Sequence, residues 1–292
     1  MRKIAILADS TSDLSKELRE EYGIDYCHMG VVVEDKEYVA SLDYEEFTPS
    51  WIYGKMREGK RVKTVQVTVE VFNEKFEEYL KQDMDIVYVA CSSALSGSCN
   101  TGRIIAEEMM AKYPGSKIAC VDALSSTMNQ GLVVLLAAAL RNEGKSVEEI
   151  VAACEAERKN YHMIAGVETL TYLKNAGRVS AGKAFFGNLL GMKPILISNL
   201  KGENYAIKKV RGRKASIEEM ANMCAAEILD SENQVVYITH SDCEEDAKLL
   251  GSLIEEKIKV KGIVYGPIGP IVGSSVGPGA IAINFKGTPV NI

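Results

Sequence analysis

Short apolar runs, each followed by a hydroxyl-rich turn and then a helical segment, recur three times in the first half of the chain. This is the sequence form of βα units. Ile4–Ala8 leads through Asp9-Ser-Thr-Ser-Asp13 into a helix ending near Glu21. Asp85–Ala90 leads through Cys91-Ser-Ser-Ala-Leu-Ser-Gly-Ser98 into a helix over Asn100–Lys112. Lys117–Val121 leads through Asp122-Ala-Leu-Ser-Ser-Thr127 into a helix ending near Asn142. Strands this short and uniformly apolar suit a parallel sheet covered on both faces.

From Ser146 the pattern changes. Ser146-Val-Glu-Glu149 is a capping box, in which the serine hydroxyl and the glutamate each satisfy a free amide, so a helix is predicted over Val147–Lys159. Glu168–Lys174 reads as helix, broken at Ala176-Gly-Arg178, and a long apolar stretch from Phe185 ends in a strand at Ile195–Ser198. Lys201-Gly-Glu-Asn204 is a turn between that strand and Tyr205–Val210, an antiparallel hairpin. Ser216 and Ser241 are placed to cap two further helices around a strand at Gln234–Thr239. A Gly- and Pro-dense run, Gly266–Gly279, precedes a last strand at Ala280–Phe285. The predicted fold is α/β with two domains: residues 1–158 form a largely parallel βα sheet domain, and residues 159–292 a mixed α+β domain.

Composition narrows the function classes. The 292 residues carry a net charge of −6 with 47% hydrophobic and 25% charged positions, a globular balance that argues against a dedicated nucleic-acid binder. No apolar stretch reaches the roughly 20 residues of a membrane span, and the start meets Asp9 too early for a signal peptide, so a cytoplasmic location without stable membrane insertion is expected. Seven scattered cysteines without a CxxC pair read as reduced, packed thiols, and His28, His162 and His240 lie far apart, so no metal site is expected.

No phosphate loop, dinucleotide fingerprint, zinc-protease motif or nucleophile elbow is present. The positive signal is the supply of hydroxyls after the strands, where open α/β sheets bind ligands. Ser92, Ser93, Ser96 and Ser98, with Gly97 allowing close backbone approach, would present donors to one anionic or carbonyl oxygen; the same serines also serve as helix caps. If Arg61–Phe72 is extended, Thr64, Gln66 and Thr68 face one way and Val65 and Val67 the other, a pattern shared with half-buried edge strands.

Taken together these segments resemble the DegV family over essentially the whole chain. They are Asp9–Leu14, Thr64–Thr68 with Phe72, Ser92–Asn100, Leu170–Arg178 and Gly269–Gly279, in the family's order. The resemblance implies a non-catalytic protein that holds a long-chain fatty acid such as palmitate or oleate between two domains. It would present the carboxylate to a partner fatty-acid kinase, which makes the acyl phosphate for phospholipid synthesis. By position, Thr64 and Ser96 hold the carboxylate, Arg178 matches the family arginine and is expected to serve partner docking, and Arg211 lies in the stretch linked to partner docking. Two departures stand out. Ser275 occupies the place of a family histidine in the carboxylate network, and Val65 replaces a common serine.

An acyl chain needs an apolar tunnel, for which Phe185, Phe186, Leu189, Leu190, Met192 and Ile195 are the candidates; plain core is the alternative role of the same residues. Lys201–Lys214 carries six basic residues against Glu203, a candidate docking patch that includes Arg211 and Arg213. The competing reading is a phosphotransferase or small hydrolase using the serine-rich crevice as an anion site, with Asp9, Asp13 and Asp122 as its only strand-end carboxylates.

Overall fold

The fold is drawn from a computed structural model that describes residues 2–182, 185 and 190–292. The first half runs β1 (Lys3–Asp9), α1 (Lys16–Tyr22), β2 (Ile24–Cys27), β3 (Met29–Val33), β4 (Lys36–Ala40), α2 (Pro49–Arg57), β5 (Val62–Val65), α3 (Val69–Leu80), β6 (Met84–Ala90), α4 (Ser98–Lys112), β7 (Ile118–Asp122), α5 (Thr127–Asn142) and α6 (Val147–Glu157). The second half runs β8 (Tyr161–Gly166), α7 (Thr171–Ala176), β9 (Met192–Ser198), β10 (Asn204–Arg211), α8 (Arg213–Glu227), β11 (Val235–His240), α9 (Glu244–Lys257), β12 (Gly262–Pro267), α10 (Pro270–Val276) and β13 (Ile281–Lys286).

Four parallel strands, ordered β2-β1-β6-β7, make the first sheet. Its two faces explain the continuous apolar runs. Ala5, Leu7, Ile86 and Tyr88 point toward Phe72 and Phe76 on one side, and Ile4, Ile6, Ala8, Val87 and Val89 toward α5 and α6 on the other. A small antiparallel sheet, β4-β3-β5, extends this half and was not anticipated from the sequence. The second half is a six-stranded mixed sheet, β10-β9-β8-β13-β11-β12, with α8 and α9 packed over Ile164, Ile238 and Ile283.

The Ser146 capping box forms with both its hydrogen bonds, at 3.3 and 2.8 Å. Two other expected caps do not. Helix α8 begins at Arg213, because Gly212 turns the chain out of β10 at φ 87°, so Ser216 lies inside the helix with a buried hydroxyl that finds no partner. Ser241 donates to the carbonyl of Gly277 and accepts from the amide of Ala280, tying down the end of the Gly/Pro run instead of capping α9. That run itself folds as helix α10, which packs on α2, β3 and β5 of the first half.

Hydrogen bonds, most of them buried, stitch the two halves together. The Tyr53 hydroxyl donates to the Ile268 carbonyl at 2.6 Å, the Gly269 amide to Asp13 at 2.9 Å, and the Ser92 hydroxyl to the Gly202 carbonyl at 2.8 Å. Ser125 and Ser198 share a hydrogen bond at 2.8 Å.

Candidate functional site

The carboxyl ends of β1, β6 and β7 converge, and the loops that follow them are held by one carboxylate. Fully buried Asp9 accepts from the Thr11 amide and hydroxyl, the Tyr88 hydroxyl at 2.7 Å, the Cys91 amide at 3.0 Å and the Gln130 side chain at 3.1 Å. Five donors on one carboxylate satisfy its buried charge and fix where the serine loop starts. Asp122 likewise accepts from the amides of Ser93 and Leu124. These two carboxylates organise loops.

Beyond them lies a cavity of about 360 Å³, bounded by both halves of the chain. Its polar lining includes Thr11, Thr64, Gln66, Ser96, Arg178 and Ser275, and its apolar lining includes Met29, Val65, Leu95, Ile271, Val272 and Val276. The Ser96 hydroxyl lies 3.0 Å from that of Ser98 and accepts from the Ser98 amide at 3.3 Å, which sets it at the start of α4. The Ser98 hydroxyl also accepts from the amide of Val67, linking the serine loop to the segment after β5. Gly97 has a steric reason: a side chain there would run into Gln66, which crosses over it to donate to Thr101 at 2.9 Å. The Arg178 Nε donates to the Leu95 carbonyl at 3.2 Å, which sets the guanidinium beside the same loop. Cys91 also lines the cavity, and burial, with Asp9 nearby, holds its thiol well above the ordinary value and thus protonated.

Thr64, Ser96, Gly97, Ser275 and Arg178 therefore meet on one cavity, although they come from four distant segments. Ser93 does not: it sits exposed on the loop, with its amide on Asp122. The extended segment ends earlier than expected. β5 stops at Val65, so Thr64 and Val65 both reach the cavity, while Thr68 caps α3 by accepting from the Val71 amide.

The expected tunnel residues are placed differently. Ile195 is fully buried against α8 and α9, on the face of the second sheet away from the cavity. Leu190 is 88% exposed, Met192 is half-buried at the start of β9, and neither lines the cavity. Phe185 packs on the cluster of Leu173, Leu196, Val272 and Val276, with Lys209 over its ring at 5.0 Å. Phe186 and Leu189 lie outside the described residues. Helix periodicity marks apolar residues without saying which side of a sheet they take, and the wall-forming Val272 and Val276 sat in a run read only as Gly/Pro-rich.

The basic run is partly neutralised. Arg213 pairs with Asp246 at 2.9 Å and Glu168 at 3.4 Å, and Lys208 with Glu219 at 2.5 Å, while Arg211 is exposed at the end of β10.

At the base of α10, Asp13 accepts from the Gly269 amide and, at 2.6 Å, from the Thr127 hydroxyl. Burial pushes its carboxyl up to about 7, against the opposing effect of those two donors. No helix among the described residues is long and apolar enough to cross a membrane, and no group of three metal-ligating side chains occurs among them.

The sequence profile of the family described as "Uncharacterised protein, DegV family" matches residues 3–287. A DegV domain-containing protein of Clostridium perfringens is 39% identical over 287 residues, 98% of either chain. Another, from Caldanaerobacter subterraneus subsp. tengcongensis, is 31% identical over 98% of this chain and 99% of its own. Among solved structures, a DegV family protein from Thermus thermophilus, described for fatty acid binding, has a TM-score of 0.88 at 29% identity, covering 99% of this chain and 100% of its own. A DegV lipid-binding protein from Thermotoga maritima has a TM-score of 0.85 at 27% identity, with the same coverage. Sequence and fold agree along the full chain: it belongs to the DegV family.

Proposed function

We propose that this protein is a non-catalytic carrier of a long-chain fatty acid, with the carboxylate at Thr64, Ser96 and Ser275 beside Arg178 and the acyl chain along Met29, Val65, Leu95, Ile271, Val272 and Val276. The observation that carries this reading is a cavity of about 360 Å³ lined by hydroxyls, one guanidinium and a set of apolar side chains drawn from both halves of the chain. Such a volume falls in the range of about 300–1,000 Å³ typical of small-molecule sites. The fatty acids and lipids bound by the Thermus and Thermotoga relatives support the same ligand class.

Roughly fifteen buried methylenes at ~0.8 kcal/mol each supply on the order of 12 kcal/mol of gross driving force, before association and ordering costs. Each hydrogen bond to the charged head group adds about 1.5–3 kcal/mol. The tail sets affinity and the hydroxyls set orientation, helped by the positive end of the fifteen-residue helix α4. In this reading residues 1–158 supply the threonine and serine and residues 159–292 close the cavity. No cofactor is required. A partner kinase would phosphorylate the presented carboxylate, and exposed Arg211 is a contact for that partner.

Lipid extraction and native mass spectrometry of the purified protein test the reading. The expected result is one fatty acid per chain, with palmitate or oleate rebinding after delipidation. Thr64→Ala and Ser96→Ala should each weaken rebinding by about 10- to 150-fold at nearly unchanged melting temperature. Empty protein that takes up neither acid would refute it.

A further inference from the structure

A separate cavity of about 350 Å³ lies between α1, the loop from β4 to α2 and the start of α5 in the first half, and β11 and β12 in the second. It shares no lining residue with the proposed fatty-acid cavity. The chain passes from one to the other three times, between Thr11 and Asp13, Ser126 and Met128, and Pro267 and Ile271. The hydrogen bonds that Asp13 accepts from Thr127 and Gly269 stand at these crossings. Apolar lining comes from buried Leu14, Leu42 and Met128 and from Val264, which is 46% exposed on the edge strand β12, beside Tyr237 of β11. Tyr44 also lines the space, and its hydroxyl has no hydrogen-bond partner among the described residues. The charged lining is Asp13, Lys16, Glu17 and Asp43. Arg19 answers Asp43, and Lys16 lies 3.9 Å from Glu20, whereas Asp13 and Glu17 have no ion-pair partner among the described residues. Asp13 carries one donor on each oxygen, about half of what a carboxylate accepts. Burial pushes its carboxyl up to about 7, and no cation is among the groups that act on it. Asp13, Tyr44 and Thr127 all hold left-handed backbone, at φ 51°, 56° and 52°, a strain that concentrates at ligand sites.

We propose that this cavity binds a small organic cation, a primary ammonium on an apolar, ring-sized body, with the ammonium at Asp13 and the body against Leu14, Leu42, Tyr44 and Val264. The inference goes beyond the fatty-acid reading and does not depend on it. An ammonium brings three donors and the positive charge that Asp13 lacks, and a charge-assisted hydrogen bond is about twice as strong as a neutral one. The faces of tyrosine rings attract the same charge. Asp13 and Glu17 disfavour an anion. A bare metal ion asks for several ligating side chains, and no group of three occurs among the described residues. The volume falls within the roughly 300–1,000 Å³ of small-molecule sites, and the apolar lining supplies the area that holds the body.

The test is a calorimetric titration of delipidated full-length protein with tryptamine, tryptophol and indole-3-acetate at about pH 8, where Asp13 is ionised. The three probes share one ring system and carry an ammonium, a hydroxyl or a carboxylate. The expected result is that tryptamine binds at least about tenfold more tightly than tryptophol, and indole-3-acetate more weakly than either. Asp13→Asn should remove the preference for tryptamine and leave tryptophol within about twofold. Val264→Trp adds volume at an exposed position on the sheet face of Tyr237, so it should weaken tryptamine and tryptophol alike, by about tenfold or more, at an unchanged melting temperature. Protein loaded with palmitate should bind tryptamine within about twofold of delipidated protein. Equal affinity for tryptamine and tryptophol, a preference that survives Asp13→Asn, or binding that Val264→Trp leaves intact overturns the proposal. So does the absence of binding, and so does loss of tryptamine on loading with palmitate, which would give the space to the acyl chain. If Asp13→Asn does not fold, the probe series and Val264→Trp decide. Failure of palmitate itself to bind sinks the fatty-acid reading alone, and the probes and variants then decide this one.

Discussion

Gly273 is where α10 meets α2, and substituting it tests how the cavity is held shut. A Cβ built at Gly273 would lie 2.7 Å from Cε1 and 2.8 Å from Cζ of the Tyr53 ring, against ordinary contacts of 3.4–4 Å. The ring has no room to move. Tyr53 is among the largest fully buried side chains, and its hydroxyl donates to the Ile268 carbonyl at 2.6 Å. In Gly273→Ala the helix must therefore shift by about 0.7 Å or more away from α2. Overpacking of this kind costs about 1–3 kcal/mol. Losing the acceptor of a buried hydroxyl adds about 1–3 kcal/mol. The expected loss is roughly 2–6 kcal/mol, seen as a melting temperature lower by on the order of 5–15 °C. Because Ile271, Val272, Ser275 and Val276 on the same helix line the cavity, fatty-acid affinity should fall as well. Thermal unfolding and titration with a fluorescent fatty acid measure both. Tyr53→Leu, which frees space beneath the helix, should restore part of the stability in the double variant. A Gly273→Ala protein that melts with the wild type, or a double variant whose losses simply add, would refute the steric argument.

Two further predictions follow from titratable groups. Ser275→His places an imidazole with an ordinary pKa of about 6.5 on the cavity, so palmitate affinity of the variant relative to wild type should rise as pH falls from 8 to 6; a constant ratio across that range would put position 275 outside the head-group network. Asp13, with its carboxyl raised to about 7, binds a proton in the folded state over a range where the unfolded chain has lost it, so the wild type should lose stability as pH rises from about 4 to about 7. Asp13→Asn keeps an acceptor for Gly269 and removes the titration, so urea unfolding at pH 5 and pH 8 should show a smaller decrease in the variant; an equal decrease would assign the effect to other groups.

The βα units of the first half were legible because the strands are buried on both faces and each is followed by a hydroxyl-rich loop before its helix, although α1 alone of the three has a side-chain cap, from Ser15, and α4 and α5 have none. The Ser146 box was legible because both partners lie within one turn of helix. Ser216 and Ser241 carried the same local pattern, yet Gly212 sets the start of α8, and Ser241 is drawn to the backbone of Gly277 and Ala280, which approach only in the folded chain. Local spacing says where a cap can form; tertiary contacts decide whether it does.

The site divides along the same line. Thr64 and Ser96 could be brought to one site because the family resemblance aligns them, and both line the same cavity; a glycine next to Ser96 is required by the crossing of Gln66. The apolar wall could not be found in this way. It arises from docking α10 of the second half onto α2, β3 and β5 of the first, and it takes Met29 and Val65 from one half and Val272 and Val276 from the other. No periodicity spans that distance in sequence. A run dense in Gly and Pro looks structureless in isolation, whereas here its small residues let α10 lie against the Tyr53 and Tyr172 rings, the latter packed against Gly277. The same closeness that hides the helix from sequence reading makes it the element through which a change at the junction of the halves reaches the cavity.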